Sequence, residues 1–210
     1  AGCAKGTAPG LSPAGSDFLV LNAGMADLTK TDMNEGNSTW EAGDVITVVY
    51  DGAAYEYVAQ SAGETTTFTS TAGIAAYDAA KPLVAYYPAT DVAGTIKIES
   101  EKTLAFKEGA QVNTSCAPLV GTPKDDNLKD GALSVVFSNV FSVLELRIDA
   151  GELGGTAKSV TVEPASAADF EGYLSFTGTV DPATLAVTPA ENGTGNSLTL
   201  NLPENADPKQ

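Results

Sequence analysis

"TWEAGDVITVVYDGAAYEYVAQS", residues 39–61, decides the fold. Ile46, Val48 and Tyr50 fall on one side of a period-two pattern, and Val45, Thr47 and Val49 fall on the other. Asp51-Gly52 follows, a pair that readily takes the positive φ angles of a two-residue hairpin turn, and Tyr55-Glu56-Tyr57-Val58 leads the chain back. The stretch reads as a β-hairpin.

Similar patterning extends in both directions. Upstream, "DFLVLNAG" (17–24) places Phe18 and Val20 on one face and Leu19 and Leu21 on the other, so this strand belongs inside a sheet. Downstream, "TTTFTST" (65–71), "PLVAYYP" (82–88), "GTIKIES" (94–100) and "KTLAFKE" (102–108) continue the alternation at a spacing that suits a β-sandwich. "VGTPKDDNLKDGA" (120–132) is charged and turn-rich, and reads as the boundary between two domains. After it, "LSVVFSNVFSVLELRIDA" (133–150) changes phase: Val135, Phe137, Phe141 and Val143 sit at odd positions, Leu144, Leu146 and Ile148 at even ones. That change predicts a bulge or bend near 138–143. "SVTVEP" (159–164), "GYLSFTGTVD" (172–181) and "NSLTLNLP" (196–203) bring the second unit to four strands, fewer than a closed sandwich needs. With the closing "ENADPKQ" (204–210), the second unit reads as truncated. The expected organisation is a Gly/Pro-rich flexible tether at 1–16, an N-terminal β-sandwich domain at 17–130 and an incomplete C-terminal one at 131–210.

Composition agrees. Thr, Ser, Gly and Ala are abundant and long runs of helix formers are lacking, which favours an all-β protein. The 210 residues carry 11 Lys plus Arg against 27 Asp plus Glu, a formal net charge of −16, so nucleic acid would be repelled. No run approaches the ~20 apolar residues of a membrane-spanning helix. No basic start leads into an apolar core either, so the chain reads as mature.

The chain has no histidine, which removes the usual general base and the Ser/His and Cys/His nucleophile pairs; the expectation is a protein that is not an enzyme and needs no cofactor. Asp44, Glu56, Asp78, Asp91, Glu145 and Asp169 are the candidates for a paired-carboxylate site, against a solvated surface as the plainer reading. "KDDNLKDG" (124–131) has the composition of a calcium loop, but Lys129 stands where an oxygen ligand belongs and no glutamate closes it. Trp40, Tyr50, Tyr55, Tyr57, Tyr77, Tyr86 and Tyr87 fit either packing between sheets or an aromatic platform for sugars, with Trp40, Tyr55 and Tyr57 the stacking candidates. Sequons stand at Asn37, Asn113 and Asn192. Cys3, in "AGCAKGTAPG" (1–10), fits a bridge to Cys116, a reactive thiol or an attachment point; no histidine is present to lower a thiol's pKa.

"STWEAGDVITVVYDG" (38–52), "AYYPAT" (85–90), "NTSCAPLVG" (113–121) and "VVFSNVFSVLELRI" (135–148), in this order and spacing, resemble the fimbrillin family of Bacteroidota, surface lipoproteins related to type V pilus subunits. The resemblance covers about residues 17–180. It implies two transthyretin-like Greek-key β-sandwich domains in tandem and a structural or adhesive role at the bacterial cell surface without catalysis. Ala1-Gly2-Cys3 matches the end of a lipobox, so the resemblance implies lipid attachment at Cys3, with residues 4–16 as a spacer from the outer membrane. Implied partners are other pilus or surface subunits, joined by strand donation, and a host or glycan ligand. In the family pattern an arginine-specific cut releases the first strand. Here the only arginine, Arg147, lies in a strand of the second unit, and Lys30 is the nearest basic residue after the first strand. This departure implies another protease, or a subunit that keeps its first strand.

Overall fold

A computed structural model of the chain describes residues 18–25, 39–89, 94–98, 100–103, 106–107, 111–112, 118–125, 128–141, 158–166 and 172–201. Every regular element among them is a strand: β1 Val20–Met25, β2 Val45–Tyr50, β3 Ala53–Ala59, β4 Thr65–Thr69, β5 Leu83–Tyr87, β6 Thr95–Ile98, β7 Glu101–Thr103, β8 Phe106–Lys107, β9 Gln111–Val112, β10 Leu119–Pro123, β11 Ala132–Asn139, β12 Ser159–Val162, β13 Ser175–Val180, β14 Val187–Gly195 and β15 Leu198–Asn201. The protein is all-β.

The hairpin at 45–59 forms as its sequence requires. Tyr50 faces Ala53, leaving Asp51 (φ 50°) and Gly52 (φ 80°) as the turn. Positive φ at both positions matches the right-handed twist of the flanking strands. Ile46, Val48 and Tyr50 point to one core, while Val49 packs into another.

The first core fills a closed barrel in the order β1-β11-β10-β5-β2-β3-β4. Alternate residues supply it: Leu21 and Ala23 from β1, Phe68 from β4, Leu83, Ala85 and Tyr87 from β5, and Leu133, Val135 and Phe137 from β11. Each large apolar side chain so buried stabilises the fold by about 1.5–3 kcal/mol. Three further side chains enter from outside the strands, Leu19, Trp40 and Ile74. Trp40 is fixed by reciprocal backbone hydrogen bonds with Gly63, at 2.8 and 3.0 Å.

A second core lies on the outer face of β5 and β10. There Tyr86 and Val120 meet Ile96, Phe176 and Val180 from the sheet β14-β13-β6. The strands between the cores are therefore buried on both faces, which explains the unbroken apolar run "LVAYY" in β5.

Several sequence expectations are corrected by these pairings. The domain boundary expected at 130/131 falls inside a hairpin: β10 and β11 pair antiparallel, and 129–132 turns tightly through Asp130 (φ 51°) and Gly131 (φ 80°). β11 thus completes the barrel of the N-terminal strands and does not open a second unit. Conversely, β6 and β7 leave the N-terminal part, β6 pairing with β13 and β7 with β15. The bend expected near 138–143 is a strand end: β11 stops at Asn139, the Val140 amide donates to the Pro118 carbonyl at 3.2 Å, and Val140 and Phe141 turn to the second core. Residues 142–150 lie outside the described residues. β14 has no counterpart in the sequence reading, because its side chains are mostly exposed and it includes Pro189 and Asn192-Gly193. Its ladder is interrupted, with Pro189 opposite Gly178 and Thr194 opposite Phe176.

One glycine tests barrel packing. Gly121 faces Phe137 across the β10–β11 ladder, and a Cβ there would lie 2.8 Å from two ring atoms and 2.9 Å from a third. The ring rests directly on the glycine. Gly121→Ala is expected to destabilise the fold by about 1–3 kcal/mol through overpacking, read as a lower urea midpoint at unchanged slope.

Candidate functional site

The aromatic platform does not survive the fold. Trp40 is 1% exposed and Tyr57 0%, so neither can stack on a sugar. Trp40 meets Phe68, Tyr87 and Phe137 edge-to-face at centroid distances of 5.0, 5.3 and 5.0 Å. Its indole Nε1 is buried without a hydrogen-bond partner. Tyr55 is half-buried against the same core. The packing alternative holds for Trp40, Tyr50, Tyr57 and Tyr87, and Tyr86 lies in the second core. The exposed aromatic among the described residues is Tyr173, whose ring leans on Phe176 at 5.7 Å.

Two of the candidate carboxylates serve the backbone. Asp44 accepts a hydrogen bond from the Glu41 amide at 2.8 Å and lies 3.4 Å from the Tyr87 hydroxyl. Asp78 accepts from the Ala80 amide at 3.0 Å, and Glu56 is exposed on β3. Asp91, Glu145 and Asp169 lie outside the described residues, as do Cys3, Cys116, Asn37 and Asn113. Asn192 is exposed with φ 56°. In the calcium-like stretch, Lys129 donates to Asp125 at 3.0 Å. Among the described residues, no three of His, Cys, Asp and Glu cluster as a metal site.

What the structure does bring together is a seam. β1 lies between β4, antiparallel over four register pairs, and β11, parallel over six. It joins the two sides of the barrel, and its β11 partner lies more than a hundred residues further along the chain. Asn22 faces outward, accepting from the Thr67 hydroxyl at 3.1 Å, while Leu21 and Ala23 face inward.

The chain between β4 and β5 closes the same end of the barrel. The Leu19 amide donates to the Ile74 carbonyl at 2.7 Å, and the Ile74 amide donates to the Tyr57 hydroxyl at 3.1 Å. Further along, the Asp78 amide donates to the Tyr50 hydroxyl at 2.7 Å. Lys81 pairs with Asp51 at the hairpin tip, and this carboxylate raises the lysine's pKa. No sequence motif marks the seam, or the strap beside it, as a site. The available signals were the two-faced apolar run at 17–24 and the buried-phase tyrosines.

Comparison with family models, with curated proteins and with solved structures finds no match.

The buried phenols carry a pH dependence. Burial pushes the hydroxyls of Tyr57 and Tyr86 above the ordinary 10.0; burial and then nearby Asp44 push Tyr87 up strongly. The folded state therefore keeps protons that the unfolded chain gives up, so this stabilisation is complete below the ordinary pKa and is lost as pH rises past it. Denaturant-measured stability is expected to fall progressively above about pH 10, with a shallower slope in Tyr87→Phe.

Proposed function

We propose that the protein is a non-enzymatic, fimbrillin-like lipoprotein of the bacterial cell surface, a structural or adhesive subunit of a pilus or surface assembly that associates through strand edges. The observation that carries this reading is the position of β1, a strand from one end of the described chain inserted between two strands of a barrel. Withdrawing it would leave two ladders of unpaired backbone groups, on β4 and β11, beside an apolar groove lined by Phe68, Leu133, Val135 and Phe137. A strand of matching alternation from another copy would satisfy both ladders and fill the groove in one step. A site built from backbone also fits a chain that has no histidine and a net charge of −16.

The finer architecture belongs to the same proposal: two transthyretin-like Greek-key units, the first running through Asn139 with β6 and β7 lent to the second. So does the anchor, a lipid on Cys3 holding the protein in the outer membrane through residues 4–16. Stable anchoring takes more than one acyl chain.

Two experiments test this. Cleavage after Lys30 in the full chain is expected to produce higher oligomers, or capture of a fluorescent peptide of residues 17–25, as seen by sedimentation and anisotropy. A cleaved chain that stays monomeric and takes up no peptide would overturn strand-edge assembly. Intact mass of protein extracted from its native membrane is expected to show acylated Cys3, and an unmodified cysteine there removes the anchor.

A further inference from the structure

The segment from Ser70 to Asp78 makes contacts in excess of what a connection between β4 and β5 requires. It crosses the barrel end where β1 begins, and it is held by hydroxyls from two other strands. Ile74 is its centre: the side chain is 2% exposed and packs in the barrel core with Leu19, its carbonyl accepts from the Leu19 amide, and its amide donates to the Tyr57 hydroxyl. Tyr57 belongs to β3 and is fully buried, so a chain of two hydrogen bonds runs from a β3 side chain through the strap to the backbone just before β1. The fit is tight. A Cβ on Gly73 would lie 2.7 Å from the Tyr57 hydroxyl and 2.9 Å from the Ser70 Cβ.

The two ends of the strap differ. At Asp78 it is tied to Tyr50, whose hydroxyl accepts from the Asp78 amide at 2.7 Å and reaches the Asp78 carbonyl at 3.4 Å. Between the anchors, Ala75 and Ala76 are exposed and Tyr77 leans on Tyr50 at a ring distance of 5.9 Å. The Ile74 end bonds to Leu19, the residue just before β1, and the Asp78 end bonds to β2 through Tyr50.

We infer that residues 70–78 form a latch on β1, with Ile74 as the bolt and the Tyr57 hydroxyl as its catch. Withdrawing Ile74 removes the hydrogen-bond acceptor of Leu19 and one side chain of the core that Leu19 shares, so β1 is released from its start inward. With the bolt seated, β1 opens only when the barrel does. The latch governs opening of the seam within one chain; its use in assembly rests on the strand-exchange reading above.

Residue-resolved hydrogen exchange on the full chain, under native conditions, tests this. Tyr57→Phe keeps the ring and removes the catch, leaving the buried Ile74 amide without an acceptor. Amides of residues 19–23 are expected to exchange about tenfold faster, the change that follows from losing one buried hydrogen bond, while those of β2 and β5 change less than about twofold. Unchanged β1 rates, or equal acceleration in every strand, would overturn the latch. Should Tyr57→Phe fail to fold, Ile74→Val trims the bolt and leaves both backbone bonds. It is then expected to accelerate the same β1 amides selectively by roughly threefold, and uniform or absent acceleration counts against the inference. Exchange is read within one chain, so failure of the latch is distinct from failure of assembly, which the cleavage and peptide experiment reads.

Discussion

Four aromatic rings meeting at one point hold the barrel in shape. Trp40 approaches it from the chain ahead of the 45–59 hairpin, Phe68 from β4, Tyr87 from β5 and Phe137 from β11, and the tryptophan touches each of the others edge-on. Such contacts contribute about 0.5–1.5 kcal/mol beyond the area they bury. No two of the three partner strands are neighbours in the barrel, and the rings meet only when the sheet has closed. Gly121 then has its place: it leaves room for the Phe137 ring that helps to hold Trp40.

Around that point the fold is organised as two cores separated by one layer of strands. Along β5, Leu83, Ala85 and Tyr87 serve the barrel, while Val84 and Tyr86 serve the outer cluster. The chain crosses between the two bodies more than once. β6 and β7 complete sheets built from the later strands, and β11 completes the barrel of the earlier ones. This interlacing ties the stability of each body to the other, because β13 needs β6 as neighbour and β1 needs β11.

How much of this was legible in the sequence depended on how local the signal is. Asp51-Gly52 between two alternating runs carries its own turn geometry, and the hairpin followed residue by residue. The two-faced run at 17–24 announced a strand with neighbours on both sides, which β1 has. The identity of those neighbours was not legible, because a parallel pairing across more than a hundred residues leaves no trace in local periodicity. Trp40 stands before its strand and outside any alternation, so its burial was open until the fold placed it. β14 escaped for the opposite reason: its exposed side chains and Pro189 write the composition of a loop onto a backbone that is paired. The hydroxyl bonds of Tyr50 and Tyr57 depend on where the 70–78 segment lies, and nothing in the tyrosines themselves specifies it.

The parallel sense of β1 against β11 has a mechanical consequence. Chain preceding Val20 leaves the barrel at one end, and chain following Asn139 leaves at the other. Tension applied between those two exits pulls the neighbouring strands past one another lengthwise. All six register pairs then share the load at once, as in a lap joint, whereas a hairpin pulled from its open end peels apart rung by rung.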